Sequence, residues 1–207
     1  MLRSTILSLS LLSCFAGLGY SQVNPAKTVV ADFEDAPEFD APVGVNSEIL
    51  FTDFTIIQNS LKKAGLAASA RSPINENFLP PALEVYYEGS KLTWFQPQEL
   101  NFGCEVHIPN LPAAPMICNV LFTPYVEITN PDGARSFQAL AAQEAEYRPG
   151  LNTVDGMKKV SFNTGPVARL VINISDTNKF LANLLDGITG AYCTIIIDDV
   201  KYIIAQN

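Results

Sequence analysis

Apolar residues gather in short runs along most of this chain, and many of them are β-branched or aromatic. Polar and turn-forming residues separate the runs. Runs of this length and composition are typical of β-strands, and their spacing predicts roughly nine or ten strands. The runs cover residues 28–33, 49–57, 83–87, 92–95, 100–108, 117–128, 159–162, 168–174 and 192–204.

Prolines and glycines fall mostly between these runs and predict turns there. The clearest case is Asn-Pro-Asp-Gly at residues 130–133. The sequence contains no alternation of strands with helices, no repeat of fixed period and no linker. We therefore predict an all-β fold, an antiparallel β-sandwich that forms a single domain over residues 22–207.

Helical signals are confined to three segments, 60–70, 137–147 and 178–185, and the first two are rich in alanine. Alanine favours a helix when tertiary packing does not decide otherwise. We expect about one to three short helices in the connections between strands. Strand and loop are the alternatives for each of these segments.

The start of the chain has the pattern of a signal peptide. A basic residue, Arg3, precedes an apolar stretch over residues 6–18 that is short for a membrane span. Small residues just before Gln22 suit cleavage there, so we expect residues 1–21 to be removed and the protein to be secreted and extracellular. No later segment holds about 18 uninterrupted apolar residues, so no membrane span is expected.

Composition and charge exclude several classes of protein. Hydrophobic residues make up 48% of the chain and charged residues 16%, which excludes a disordered chain. The 13 basic and 21 acidic side chains give a formal net charge of −8. Nucleic-acid binding requires clustered Lys and Arg, so this acidic balance argues against a nucleic-acid partner.

Cysteine usage fits an exported protein. Cys14 leaves with the signal peptide, and three cysteines remain, so one of them is unpaired or pairs between chains. Cys104 and Cys118 lie in consecutive β-rich runs with a proline-rich turn between them, and we predict their disulfide. Closing a loop of about 14 residues stabilises a fold by about 3 kcal/mol in the chain-entropy model. Cys193 lies in an apolar run and is interpreted as an inert buried thiol.

Motifs for catalysis are absent from the sequence. His107 is the only histidine, no nucleophile elbow, phosphate loop or dinucleotide-binding turn occurs, and His and Cys are too few for a zinc site. Glycoside hydrolysis needs only two carboxylates, but sequence spacing identifies no pair among the candidates. These candidates are Glu84, Glu88, Glu99, Glu105 and Glu127.

A more specific arrangement of acids lies at the two ends of the predicted domain. Asp198 and Asp199 interrupt an apolar closing strand, and Glu34 and Asp35 follow an early strand. A buried unpaired charge is strongly destabilising, so the closing pair needs compensation. A calcium ion shared by acids of both strands would supply it, provided that the two strands lie side by side. Alternatively, one aspartate faces water and the other accepts hydrogen bonds from backbone N–H groups or a lysine.

The acidic segments at 32–35, Asp-Phe-Glu-Asp, and 197–202, Ile-Asp-Asp-Val-Lys-Tyr, together resemble jelly-roll, galactose-binding-like carbohydrate-binding modules. This resemblance implies a jelly-roll sandwich, a structural calcium held by Glu34, Asp35, Asp198 and Asp199, and sugar binding on aromatic rings. Residues 100–104 and 117–123 also resemble small secreted fungal proteins whose function is largely unassigned.

Four aromatic residues flank the turn at residues 88–91, which suggests one hairpin that presents a platform for sugar rings. The candidates for ligand binding are Tyr86, Tyr87 and Trp94. Successive side chains of a strand point to opposite faces, so about half of these rings are expected in the core. The platform therefore requires Trp94 to face outward while Phe95 faces inward.

Asn173 begins the only glycosylation sequon after the predicted cleavage point, Asn-Ile-Ser at residues 173–175. Alternation in this strand turns Ile172 and Ile174 inward and Asn173 outward. We therefore expect Asn173 to be glycosylated in an exported protein.

Taken together, these patterns favour a secreted, non-catalytic binding protein that recognises cell-wall or host carbohydrate. The alternative is a secreted effector or interaction protein whose partner is an extracellular protein. A glycan-active enzyme that uses a carboxylate pair is a third possibility.

Overall fold

The computed structural model describes residues 26–36, 38–62, 65–71, 80–175 and 191–206. These residues form thirteen strands, and no helix occurs among them. The strands are β1 Lys27–Ala31, β2 Pro42–Asn46, β3 Ile49–Gln58, β4 Leu66–Arg71, β5 Ala82–Glu84, β6 Leu92–His107, β7 Ala114–Pro115, β8 Cys118–Thr129, β9 Arg135–Ala139, β10 Gln143–Tyr147, β11 Lys158–Ser161, β12 Arg169–Ile174 and β13 Tyr192–Gln206. None of the described segments is a helix long and apolar enough to cross a bilayer.

The strands pair antiparallel in the order β10-β8-β12-β5-β3-β4-β13-β6-β11. Four further strands attach along this path, β1 to β13, β2 to β3, β7 to β6 and β9 to β8. The chain between β11 and β12 then runs back along β6, where Phe95 and Val167 exchange hydrogen bonds of 2.7 and 2.9 Å. The prediction of an all-β antiparallel sandwich of jelly-roll type is confirmed.

Alternating side chains fill the core between the layers. In β8, Cys118, Val120, Phe122 and Pro124 are buried, and the residues between them are partly exposed. The Phe122 ring meets the ring of Phe102 edge to face at 5.5 Å between centroids. Since β8 and β6 are not paired with each other, this contact spans the two layers.

The opening and closing strands lie side by side, as the sequence predicts. β1 pairs with β13 from Lys27 opposite Ile204 to Ala31 opposite Val200. β6 occupies the other edge of β13 along its length, so β4 and β1 follow each other along one edge. Between them β13 is irregular, and Asp199 has a φ of 49°. The bulge therefore falls at the acidic pair.

The predicted helices at 60–70 and 137–147 are wrong. The first segment ends in β4, where Ala68 lies between Ile56 of β3 and Ile197 of β13. The second segment contains β9 and β10, which both pair with β8. Hydrogen bonds from neighbouring strands outweigh the weak helix preference of alanine. The segment 178–185 lies outside the described residues.

The predicted disulfide is confirmed, since Cys104 and Cys118 are bonded with their Cα atoms 6.2 Å apart. The Met116 N–H donates to the Cys104 carbonyl at 2.9 Å, which holds the intervening turn against β6. The third cysteine, Cys193, is free and buried, with its sulfur 3.5 Å from that of Met116. Burial raises the pKa of the Cys193 thiol to about 11.

We expect thiol reagents at pH 8 to leave Cys193 unmodified in the native protein and to label it in denaturant. With a pKa of about 11, about one thiol in a thousand is ionised at that pH, and burial blocks access as well. Mass spectrometry of labelled peptides measures this. A Cys193→Ala variant serves as the control, because any label that it still takes up comes from Cys14. Rapid labelling of Cys193 in the native protein would contradict its interpretation as an inert buried thiol.

Candidate functional site

The predicted aromatic hairpin is wrong. Tyr86 and Tyr87 follow β5, and Trp94 lies in β6, but these two strands are not neighbours. β5 pairs with β3 and β12, while β6 makes its longest pairing with β13. The turn at residues 88–91 therefore connects different parts of the sandwich, and the tyrosines and Trp94 do not share one pair of strands.

Trp94 faces outward, as the platform hypothesis requires. Phe95 is fully buried, whereas Trp94 is half-buried and lies opposite Ala205 on β13. Its indole is therefore placed on the outer side of the β6–β13 pair, on strands that carry neither tyrosine.

The two tyrosines have different partners. The Tyr87 hydroxyl donates to the Glu48 carbonyl at 3.1 Å, which ties the chain after β5 to the β2–β3 turn. The Tyr86 hydroxyl donates to the Glu127 carboxylate, and its ring lies 5.6 Å from the ring of Phe137. Burial and the bonded carboxylate raise the pKa of Tyr86 to about 12. Phe137 is 46% exposed, so this ring pair reaches the surface.

A row of side chains crosses four paired strands beside this ring pair. Arg169 of β12 lies opposite Tyr125 of β8 and opposite Glu84 of β5, and Glu84 lies opposite Leu50 of β3. Opposed residues share a face of the sheet. The core is on the other face, because the adjacent residue Leu170 is buried in it. The row therefore lies on the outer face.

We call this surface the Arg169 face and define it as Thr52, Glu84, Tyr86, Tyr125, Glu127, Arg135, Phe137 and Arg169. Two similar groups of three side chains organise it. Glu84 accepts a hydrogen bond from the Thr52 hydroxyl on one oxygen, and its other oxygen lies 3.6 Å from Arg169 Nε. That nitrogen is buried and makes no hydrogen bond among the described residues, so its attraction to Glu84 is electrostatic.

The second group repeats this arrangement. Glu127 accepts from the Tyr86 hydroxyl on one oxygen, and its other oxygen lies 3.1 Å from Arg135 Nε. Each glutamate thus lies between a hydroxyl group and a guanidinium. Fixed acceptors and donors beside exposed aromatic rings are the chemical means by which proteins bind hydroxyl-bearing ligands.

The sequence contains only part of the signal for this face. Alternation through residues 118–129 and 168–174 turns Tyr125, Glu127 and Arg169 outward. It does not show that β12 lies between β8 and β5, which is what brings Arg169 to Glu84.

The acidic pair of the closing strand is surrounded by N–H donors. Lys62 Nζ lies 2.6 Å from an Asp198 oxygen and 2.9 Å from an Asp199 oxygen. The amide of Asn59 donates to Asp198 at 3.0 Å, and that of Asn101 donates to Asp199 at 2.7 Å. The Asp199 N–H also donates to Asp198 at 2.8 Å. Both carboxylates therefore have several partners within the protein.

This arrangement corresponds to the alternative in which one aspartate faces water and the other accepts hydrogen bonds from a lysine or from backbone N–H groups. Asp198 is buried and bonded, while the Asp199 side chain is 45% exposed. Burial raises the pKa of Asp198, and the Lys62 hydrogen bond partly opposes this. Burial lowers the pKa of Lys62, but bonds to both aspartates outweigh it and leave that pKa raised. Lys62 is therefore charged at neutral pH and supplies the positive charge.

The proposed calcium ligands do not fit calcium at Asp198 and Asp199. Calcium requires six to eight oxygen ligands, whereas the neighbours here are ammonium, amide and backbone N–H groups. Glu34 is exposed and accepts the Leu66 N–H at 3.3 Å. No group of three or more His, Cys, Asp or Glu side chains suited to a metal occurs in the described ranges.

Asp35 instead lines an open cleft of about 260 Å³ beside β2, together with Asp32 and Glu38. All three acids are exposed to water. The cleft is therefore an open, water-exposed acidic surface.

His107 and Glu105 have structural contacts. Glu105 is buried and accepts from the Ser60 hydroxyl at 2.6 Å, and His107 lies 3.1 Å from the Thr194 hydroxyl. The His107 ring stacks on Tyr192 at 4.6 Å, and burial lowers its pKa. The Ser60 hydroxyl bonds Glu105 and not His107, so Ser60 and His107 do not form a nucleophile–base pair.

Asn173 lies on β12 opposite Leu121 and is partly exposed. Its glycosylation stays a prediction.

Comparisons with known proteins do not assign this chain to a family. No family model and no curated protein matches this chain. The N-terminal CBM22-1-CBM22-2 tandem domain of Xyn10C from Paenibacillus barcinonensis is similar in structure, with a TM-score of 0.37 and 11% sequence identity. The match covers 90% of this chain and 48% of that chain, so this chain spans about half the length of the tandem domain. Similarity at this level does not assign a ligand or a site.

We expect Lys62→Met to lower the free energy of unfolding by about 2 to 4 kcal/mol, because it leaves buried Asp198 without its cation. This is below the full effect for a buried pair, since the Lys62 side chain is 22% exposed. Lys27→Met is the matched control, because Lys27 pairs with Glu48 at the surface. Urea unfolding at pH 7 measures both variants, and equal effects would contradict the role of Lys62.

EDTA should leave the melting temperature of the unmodified protein unchanged, since Lys62 supplies the positive charge at the acidic pair. Calorimetry in EDTA and then in excess calcium measures this. A lower melting temperature in EDTA that calcium restores would instead support the calcium site implied by the sequence resemblance.

Proposed function

We propose that this protein is an exported, non-catalytic carbohydrate-binding protein and that its ligand binds on the Arg169 face. The observation that carries this proposal is the continuous row of Tyr125, Arg169 and Glu84 across paired strands, beside the ring pair in which Phe137 is exposed and Tyr86 is partly buried.

The chemistry of the face supports a sugar ligand. Sugar rings present apolar C–H faces, which pack against aromatic rings, and hydroxyl groups, which both donate and accept hydrogen bonds. Phe137 and Tyr86 supply the rings, and the arginines and glutamates supply donors and acceptors at fixed positions. Arginine and carboxylate groups form the stronger, charge-assisted kind of hydrogen bond.

Two observations support the remaining parts of the proposal. The Cys104–Cys118 disulfide is typical of proteins from an oxidising compartment and supports export. Most of the acids that are candidates for glycoside hydrolysis are held in ion pairs or hydrogen bonds, as with Glu84, Glu99 and Glu127, which supports binding without catalysis.

We expect Phe137→Ala to lower affinity for a bound polysaccharide about tenfold, which corresponds to about 1.4 kcal/mol, because it removes an exposed stacking ring. Phe39→Ala is the matched control, since Phe39 is 56% exposed and is not part of the Arg169 face. Affinity electrophoresis through gels containing soluble polysaccharides measures retardation, and calorimetric melting confirms that each variant folds.

A Trp94→Ala variant distinguishes the two candidate surfaces. Retardation should persist in this variant, because Trp94 lies on the β6–β13 pair. If Trp94→Ala abolishes retardation and Phe137→Ala does not, the carbohydrate site lies on the Trp94 side and the Arg169 face is the wrong assignment.

A protein target is the second candidate function. It is favoured by large apolar side chains exposed on three connections, Leu111 between β6 and β7, Ile117 between β7 and β8, and Leu151 and Val154 between β10 and β11. Exposed apolar groups of this kind mark interaction surfaces. Cross-linking and co-purification with extracellular proteins test this function, and substitution of Leu151 by Ser should weaken such a complex without changing glycan retardation.

A further inference from the structure

The Arg169 face carries its charges in balanced pairs, and this bears on the class of glycan that it binds. The inference rests on the proposed carbohydrate-binding function. We propose that the ligand is a neutral glycan whose neighbouring hydroxyl groups bind the two arginine–glutamate pairs, and that Glu84 and Glu127 exclude uronate and sulfated chains.

The charges of the Arg169 face are paired. Arg169 lies 3.6 Å from Glu84, and Arg135 lies 3.1 Å from Glu127. The Arg169–Glu84 pair is partly shielded from water, because its two side chains are only 26% and 17% exposed. Shielding strengthens the interaction of these charges with each other and with any ligand charge.

An anionic ligand would meet a carboxylate beside each arginine. A uronate or sulfate group that approached Arg169 would come within the field of Glu84, and one that approached Arg135 would meet Glu127 in the same way. Like-charge contact of this kind rejects the wrong partner. The net charge of −8 over the whole chain acts in the same direction at longer range.

A neutral diol fits the hydrogen-bonding groups of these pairs. An arginine only donates hydrogen bonds and an ionised glutamate only accepts them, whereas each sugar hydroxyl does both. In each pair one glutamate oxygen accepts from a protein hydroxyl, Thr52 or Tyr86, and the other faces the arginine. These contacts fix the carboxylates, and each oxygen retains a lone pair for a ligand hydroxyl.

The two pairs are also suitably arranged for one chain. Arg169 lies opposite Tyr125, and Glu127 follows Tyr125 by two residues on the same face of β8. Two residues along a strand span about 7 Å. The pairs therefore form two sites along one surface, with the rings of Tyr86 and Phe137 at the Glu127 end.

The test is a change of glutamate charge without a change of shape. The double variant Glu84→Gln, Glu127→Gln keeps acceptors for Thr52 and Tyr86 but leaves both arginines uncompensated. Gel retardation is measured with neutral probes, laminarin, arabinoxylan and galactomannan, and with an acidic probe, polygalacturonate. We expect the unmodified protein to bind at least one neutral probe about tenfold more tightly than polygalacturonate, and the double variant to reverse this order in low salt.

A reciprocal variant guards against a folding defect. Arg135→Gln, Arg169→Gln should lose neutral binding about tenfold and gain no binding to polygalacturonate, and melting curves show whether each variant folds. Preferential binding of polygalacturonate by the unmodified protein would overturn the inference while leaving carbohydrate binding intact. If no probe of either kind is retarded and Phe137→Ala changes nothing, the proposed function fails, and the inference fails with it.

Discussion

The fold depends on how the buried polar groups of the closing strand β13 find hydrogen-bond and ion-pair partners. It pairs with β6 along one edge and with β4 and then β1 along the other. Residues 193–198 are all buried, so a polar group within this stretch must find its partners inside the protein. Asp198 is such a group, and Lys62 and Asn59 on the segment after β3 supply its partners. The charge in the strand thereby fixes where that segment lies.

The segment after β3 is held closely against the sheet as a result. The Asn59 side-chain oxygen accepts the N–H groups of Leu61 and Lys62 at 3.2 and 3.1 Å, which orients both residues. Leu61 then lies so close to Gly103 that an added Cβ would be 2.2 Å from its side chain. A glycine inside the long strand β6 is explained by this approach and not by the flexibility of the strand.

Local patterns predicted the features that depend on one strand or two successive strands. The Cys104–Cys118 bond follows from a short turn between neighbouring runs, and the opposite orientations of Trp94 and Phe95 follow from alternation. The predicted hairpin is wrong because the sequence of residues 88–91 is typical of a tight turn, whereas β6 pairs with a strand about a hundred residues later in the chain. The same non-local pairing brings Arg169 to Glu84, and no pattern within one strand contains it.

Stability does not account for the Arg169 face. Ion pairs at partly buried positions contribute little to stability, because the loss of hydration offsets much of the attraction between the charges. Apolar side chains of similar size at Arg169 and Glu84 would pack against Thr52 and Tyr125 without that loss. The same combination of hydroxyl, carboxylate and guanidinium also occurs twice on one surface, beside the exposed ring of Phe137. The proposed ligand, a sugar chain whose hydroxyl groups repeat along its length, would account for a polar arrangement that occurs twice on this surface.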